Sequence, residues 1–430
     1  MTFSKRWLLA LLLFTLAVTL AWLLATDNHA IWPVRNALQY QLVSWWWTHV
    51  SQPRLGAPGT LRGVVRNKAG EPVAGAWVLL SRPDGTTYKG QSDETGQFLI
   101  ADIPGDTYRP VAGAPGYESV VVGEGWQQVQ IEANQATSVE VVLSPELPQL
   151  VSPGTEFRLG PATELSCSKP LPGAGVRRTV HFQSAGQANQ QTLYYTPVDT
   201  SPESLPILLA IYPGPADSWE CVSLPLAATG YAVIAVGPAY TFDLESDLDE
   251  LERVLAFAQA GEFPGADGNQ VGLLGGSYSS LHVQRLLQRG QAIKAALLLG
   301  PPTDLFDMRR RLEDGTFVPP FDLDQAFYAL GFPSQEPLRY WRYSGAYHVR
   351  SDFPPLAILH SRTDQVVPFQ QSELLVAQLA EAGVPYNVYF FEGGGHYLLA
   401  EDGDAREMYE ITLDFFAKHL PSTSYLGINQ

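Results

Sequence analysis

The sequence predicts an α/β protein with a mainly parallel sheet, preceded by a small all-β sandwich and a single N-terminal transmembrane helix. Three observations carry this: an uncharged apolar run near the N-terminus, short β-prone runs with turn signals over residues 60–143, and an alternation of continuous apolar runs with helical patterns after residue 172. The 430 residues are 45% apolar and 17% charged, the balance of a folded protein, and 38 Gly and 33 Pro without a period exclude a collagen-like or wholly disordered chain. A formal charge of -17 repels a phosphate backbone, so nucleic acid is not expected as a partner. Two cysteines, Cys167 and Cys221, are too few for a thiolate zinc cage.

Residues 7–25 contain no charge, and as a helix rising 1.5 Å per residue they span about 28 Å, close to the bilayer core. Lys5 and Arg6 precede the run and Asp27 follows it, which keeps the N-terminus cytoplasmic and places the remainder outside. Residues 1–25 are therefore read as a membrane anchor in contact with the lipid bilayer through residues 7–25. A cleaved signal peptide is the alternative, but its apolar region is usually shorter, and Leu23 stands where a small residue is wanted. Either reading exports the chain, permitting a Cys167–Cys221 disulfide, with two unpaired buried cysteines as the alternative. Residues 26–58, with Trp45, Trp46 and Trp47, read as a juxtamembrane interfacial segment and linker, or else as a helix packed on the soluble part.

Residues 59–145 change to a period of two, with turn signals at Gly70-Glu71-Pro72, Pro83-Asp84-Gly85 and Glu94-Thr95-Gly96, the pattern of a small β-sandwich. The wording Gly-Glu-Pro-Val-Ala-Gly-Ala-Trp-Val from Gly70, then Ser-Asp-Glu-Thr-Gly-Gln-Phe and Ala-Pro-Gly-Tyr-Glu, resembles the carboxypeptidase regulatory-like, transthyretin-related domains. The segment holds no His, Cys or paired-acid cluster, so an accessory or spacer role is expected, with no partner legible. Residues 146–171 are a Pro-rich linker.

From residue 172 to 421, continuous apolar runs bounded by Gly or Pro suit strands buried on both faces, and the segments between them carry apolar residues three and four apart. Ligands in such sheets meet the carboxyl ends of the strands. After residues 271–274 comes Gly275-Gly276-Ser277-Tyr278-Ser279 and then a helix, the strand-turn-helix of a nucleophile elbow, with Ser279 where the pattern G-x-S-x-G has glycine. Asp364 follows the next-to-last strand and His396 the last. Serine attacks only when a base takes its proton, and a carboxylate holds that base in one tautomer, so Ser277, Asp364 and His396 in this order form a candidate triad.

With these motifs in place, and with 340–350 (YWRYSGAYHVR) and 211–215 (IYPGP) beside them, residues 172–420 resemble the α/β-hydrolase superfamily, in its prolyl oligopeptidase-like and dienelactone hydrolase-like branch. The β-propeller of prolyl oligopeptidases is absent and the small sandwich stands in its place. The resemblance implies an α/β-hydrolase fold and an oxyanion hole. The Tyr278 N–H should supply one donor, and the Tyr212 phenol, matching a tyrosine those relatives use, the other, with the Gly214 or Ala216 amide as alternatives. Residues 302–354 read as a cap whose apolar and aromatic residues, among them Phe306, Met308, Phe327, Tyr340 and Trp341, suit an acyl pocket or a helical cap core. Arg309-Arg310-Arg311 and the acidic residues 243–252 read as solvated helix faces, the arginines alternatively as a contact to an anionic substrate. No metal or organic cofactor is implied. The expectation is a membrane-anchored, extracytoplasmic serine hydrolase cleaving carboxylic esters, with a prolyl oligopeptidase-type peptidase and a noncatalytic surface binding protein as alternatives.

Overall fold

The computed structural model describes residues 14–19, 21–22, 56–123, 128–146, 156–182, 191–198, 204–237, 244–317, 327, 330–396, 398 and 402–421. Of the apolar run 7–25, residues 14–19 and 21–22 are helical; the rest of the expected anchor, and residues 26–55 of the segment behind it, lie outside the described residues. Among the described residues no helix is long and apolar enough to cross a membrane.

The first unit is built from β1 (Gly56–Asn67), β2 (Trp77–Ser81), β3 (Thr87–Gln91), β4 (Gln97–Tyr108), β5 (Val111–Gly113), β6 (Val120–Val121), β7 (Val129–Ile131) and β8 (Ala136–Leu143). They form two four-stranded sheets, ordered β7-β4-β1-β8 and β3-β2-β5-β6. Alternation along each strand sends Leu61, Val65, Phe98, Ile100, Val141 and Leu143 inward against Val78, Leu80 and Ala112 of the facing sheet. Gly56, Ala57 and Pro58, expected in the linker, already belong to β1, where Gly59 allows Glu132 O to lie 2.3 Å from the position a Cβ would take.

The second unit is a ten-stranded sheet whose main path runs β10 (Thr163–Cys167), β11 (Gly173–His181), β12 (Gln191–Thr196), β14 (Ala232–Gly237), β13 (Leu205–Ile211), β15 (Ala266–Gly276), β16 (Ala295–Leu299), β17 (Leu356–Ser361), β18 (Tyr386–Phe391), with β9 (Arg158–Leu159) beside β11. Pairing is antiparallel as far as β14 and parallel from there to β18. Residues 158–159 and 163–167, read from the sequence as linker, thus extend the sheet: their Pro-rich surroundings masked two strands that can pair at an edge. On one face, Ile207, Leu209, Val271, Leu273 and Ile358 pack under α2 (Leu244–Gln259), α3 (Tyr278–Gln288) and α6 (Gln370–Ala382). On the other, Leu208, Ala210, Leu297 and Leu359 pack under α1 (Glu220–Ala228) and α7 (Asp402–His419). Cys167 and Cys221 are disulfide-bonded, tying β10 to α1 across 54 residues. In a chain-entropy account, closing a loop of that length contributes about 4 kcal/mol.

The acidic run 243–252 is not a solvated face. Asp247, Glu250 and Glu252 are buried, because α2 turns them inward: Asp247 meets Tyr278 and His282, and Glu252 meets Arg289 at 2.6 Å. The arginine run also departs from expectation. Arg309 is buried, paired with Glu313 and lying over the Phe332 ring, while Arg310 and Arg311 bridge to Asp307 on their own helix, α4 (Leu305–Glu313).

Nor, among the described residues, do the apolar side chains of the cap line the cavity beside Ser277. Phe306, Met308, Phe327, Tyr340 and Trp341 form one buried cluster with Leu79 and Val111 of the sandwich. Trp341, on α5 (Pro337–Arg342), stacks on Tyr347 with ring centroids 5.0 Å apart and donates its Nε1–H to Ser119 Oγ at 2.8 Å. Gly113 permits this approach, since a Cβ there would stand 2.9 Å from that nitrogen. Lys89 of β3 lies over the Trp77 and Tyr347 rings and donates to Tyr347 Oη, which donates in turn to buried Asp304, the N-cap of α4. The sandwich is docked through its β2 and β5 side on the cap.

Candidate active site

Strand β15 delivers Ser277 to the end of the parallel sheet, and α3 starts at the next residue. Ser277 has φ 55°, a left-handed backbone that a residue with a Cβ adopts only when its surroundings impose it. Here the Ser277 N–H donates to Leu299 O of β16 at 2.8 Å, and the Ser277 carbonyl accepts from Ser280 N at 3.0 Å. The turn is tight: a Cβ on Gly275 would lie 2.7 Å from Val283 and 3.0 Å from Ser279 O, so strand and helix approach through that glycine. Ser279 fits where the motif has glycine, fully buried, with no hydrogen-bond partner for its Oγ.

The structure brings the three sequence-selected residues together. His396 Nε2 is 2.7 Å from Ser277 Oγ, and His396 Nδ1 is 2.7 Å from Asp364 Oδ2. Asp364, fully buried, also accepts from Val366 N at 2.7 Å and Val367 N at 2.9 Å through Oδ1. Burial alone would push its carboxyl up, but hydrogen bonds from His360 and His396, the His396 charge and the Val367 amide outweigh it and hold the carboxyl well below the usual range. An ionised Asp364 requires the proton of His396 on Nδ1, which leaves Nε2 to accept from Ser277.

Sequence reasoning missed two residues of this site. His360 is fully buried at the end of β17 with Nε2 3.0 Å from Asp364 Oδ2 and Nδ1 2.7 Å from Ser372 Oγ. Its signal is the i, i+4 relation to Asp364 in a strand-ending loop. Gly300, the residue after β16, with φ 51°, faces the same pair: a Cβ there would stand 3.3 Å from Asp364 Oδ2 and 3.5 Å from His396 Nδ1.

The expected oxyanion donors fare unequally. Tyr278 is the first residue of α3, where backbone N–H groups point out of the helix end. The Gly214 amide is not available, a correction to the sequence reading: with φ 121° its N–H turns back to the Tyr212 carbonyl at 2.9 Å. Tyr212 is buried, stacked on Trp219 at 5.4 Å, with Oη 2.9 Å from Ser223 Oγ. Burial pushes its phenol above its usual value and the Ser223 bond opposes this only in part, so the phenol stays protonated and able to donate.

A cavity of about 60 Å³ opens beside Ser277 and His396. Its walls are Trp219, Val222 and Leu226 from the α1 side and Met408 and Tyr409 from α7, with Leu274 and Leu299 below. It lies on the opposite face of the sheet from α3. The sequence could mark these residues as apolar but not which of two apolar faces would front the nucleophile.

Comparison with known proteins agrees with this architecture. Residues 60–144 match the carboxypeptidase regulatory-like domain and residues 246–423 the prolyl oligopeptidase family. Dipeptidyl peptidase 8 of Mus musculus is 24% identical over 277 residues, 58% of this chain and 29% of the relative, and that of Homo sapiens is 25% identical over 279 residues. The chain thus matches less than a third of the length of these relatives. Among solved structures, propionate-bound esterase 2 of Thermogutta terrifontis aligns with a TM-score of 0.46 at 16% identity, covering 56% of this chain and 93% of that one. An acetyl ester-xyloside bifunctional hydrolase from Caldicellulosiruptor lactoaceticus gives 0.42 at 20% identity, covering 54% and 90%. The sandwich thus matches the carboxypeptidase regulatory-like domain, and the segment bearing Ser277, Asp364 and His396 matches the prolyl oligopeptidase family.

Proposed function

We propose that the chain is a membrane-anchored, extracytoplasmic hydrolase that cleaves carboxylic esters of small apolar acyl groups through an acyl-Ser277 intermediate. The observation that carries this is the Ser277–His396–Asp364 hydrogen-bond chain opening on a small apolar cavity. His396 Nε2 takes the Ser277 hydroxyl proton as Oγ attacks the ester carbonyl carbon, and the carbonyl π-bond becomes the oxyanion. The Tyr278 N–H and the Tyr212 phenol stabilise that oxygen, with Ser223 donating to Tyr212 Oη so that the phenolic hydrogen is left for the substrate. Collapse expels the alcohol, which leaves with the proton from His396. A water, deprotonated by the same nitrogen, then releases the acid and restores Ser277.

A cavity of about 60 Å³ walled by Trp219, Val222, Leu226 and Met408 suits a short uncharged acyl group. Peptide hydrolysis is the second reading, favoured by the family match over residues 246–423. The uncharged run 7–25 supports the anchor, and the Cys167–Cys221 disulfide supports an oxidising compartment. The test is turnover by the full chain of short-chain aryl esters set beside aminoacyl-proline anilides, with fluorophosphonate labelling of wild type and Ser277→Ala. Ester turnover and labelling that both vanish in Ser277→Ala are expected. Turnover of the anilides alone would favour the peptidase, and no labelling of folded protein would favour a binding protein.

A further inference from the structure

A second and larger cavity, about 500 Å³, lies where the sandwich meets the hydrolase domain, away from Ser277. Its sandwich wall carries Glu118, Ser119 and Glu146. The opposite wall carries Arg285, Gln288 and Arg289 from the end of α3 and its exit, with Arg342 and Arg350. Three of the four arginines already have carboxylates: Arg289 bonds Glu252 at 2.6 Å and Glu245 at 3.3 Å, Arg342 stands 3.8 Å from Glu245, and Arg350 bonds Asp352 at 2.8 Å.

Arg285 differs. Its Nη1 donates to Gln288 Oε1 at 2.9 Å, and among the described residues no carboxylate lies within ion-pair distance of it. Its buried Nε has no acceptor, and neither has the buried Nε2 of Gln288, one helical turn away. Those two nitrogens are closed off from the cleft, whereas Nη2 of Arg285 is neither enclosed nor hydrogen-bonded, and a planar guanidinium without a carboxylate of its own matches one from outside. We propose that this cleft is a binding site for a small monoanionic carboxylate held by Arg285, whose guanidinium Gln288 orients. The three glutamates lining the cleft set the charge limit, since they repel a polyanion while one negative charge is balanced by Arg285. Arg285 sits in the last turn of the helix that begins beside Ser277, so an occupant would brace α3 against the sandwich.

The test is calorimetric titration of the full chain with benzoate, its neutral isostere benzamide and inorganic phosphate, on free protein and on protein whose Ser277 is replaced by alanine. Benzoate is expected to bind both proteins with the same affinity, benzamide not measurably, and phosphate more weakly. Arg285→Gln should weaken benzoate at least ~10-fold, the loss of about one charge-assisted pair, with its melting temperature recorded to establish folding. Should that variant not fold, Glu146→Gln serves instead, and removing a like charge from the wall should tighten benzoate severalfold. Equal affinity for benzamide, insensitivity to both substitutions, or tighter binding of phosphate would overturn the assignment. Because Ser277→Ala keeps the cleft intact, an inert active site and an empty cleft give separable results.

Discussion

Among the described residues of the α/β domain, two buried aspartates meet histidines, and only one of them serves a reactive group. Asp364 meets His396 at 2.7 Å at the ends of β17 and β18; Asp247 on α2 meets His282 on α3 at 3.2 Å. Both carboxylates are almost fully buried, and both accept a second side-chain donor, His360 for one and the Tyr278 phenol for the other. The difference is where the second imidazole nitrogen goes. In His396 it meets Ser277 Oγ at a strained turn beside a cavity, whereas in His282 it is buried without a partner, the ring edge-on to Tyr278 at 4.9 Å. A carboxylate–imidazole pair is thus not in itself a catalytic device. The Asp247 pair instead clamps the first turn of α3, the turn carrying the expected oxyanion amide, against α2.

The largest effect should separate the two histidines. His396→Ala should lower kcat for an aryl ester by about 10⁴-fold or more, as loss of a triad base does, while His282→Ala should keep fluorophosphonate labelling within a few-fold. The latter should instead lower stability by about 1–3 kcal/mol in denaturant melts, the cost of leaving Asp247 short of a buried donor. Similar activity losses in both would collapse the distinction.

Tyr212→Phe should lower kcat by about 10- to 100-fold with little change in KM, the signature of a donor used in the transition state. A change in stability alone would return Tyr212 to the core around Trp219. His360→Leu should cost about 10-fold in kcat through looser placement of Asp364, and it has a pH signature. The Asp364 carboxyl is depressed in the folded chain, so its ionisation contributes stability that is full above the unfolded value, about 4, and is lost as the pH falls further. Removing the His360 donor reduces that contribution. The melting-temperature gap between wild type and His360→Leu should therefore be widest near pH 7 and narrow on acidification; a gap independent of pH would make His360 a packing residue.

Much of the site was legible because α/β sheets put chemistry at strand ends, where Ser277, Asp364 and His396 each follow a continuous apolar run. His360 and Gly300 were not, since one sits inside such a run and the other acts by lacking a side chain. The docking of the sandwich was also hidden: Trp341, Tyr347 and Phe306 have the composition of a pocket and of an interface alike, and only the partner strands β2 and β5 decide between them. Charge runs misled for a related reason. A linear run does not reveal that Asp247 and Glu252 share the inner face of α2 while Asp249 points outward.

The smallest effect concerns the elbow itself. Ser279 occupies the position where the motif has glycine, and its buried hydroxyl finds no acceptor or donor. Its Cβ is already accommodated against the Gly275 turn, so Ser279→Ala removes only an unsatisfied polar atom. It should change stability by no more than about 0.5–1 kcal/mol, in the stabilising direction, and leave fluorophosphonate labelling unchanged. Ser279→Val adds bulk where Gly275 and Val283 already crowd the turn and should slow labelling of Ser277 while Asp247 and His282 remain paired. A valine variant that labels at the wild-type rate would show that the tightness of this turn, unlike the orientation of His396, is not what makes Ser277 the reactive partner.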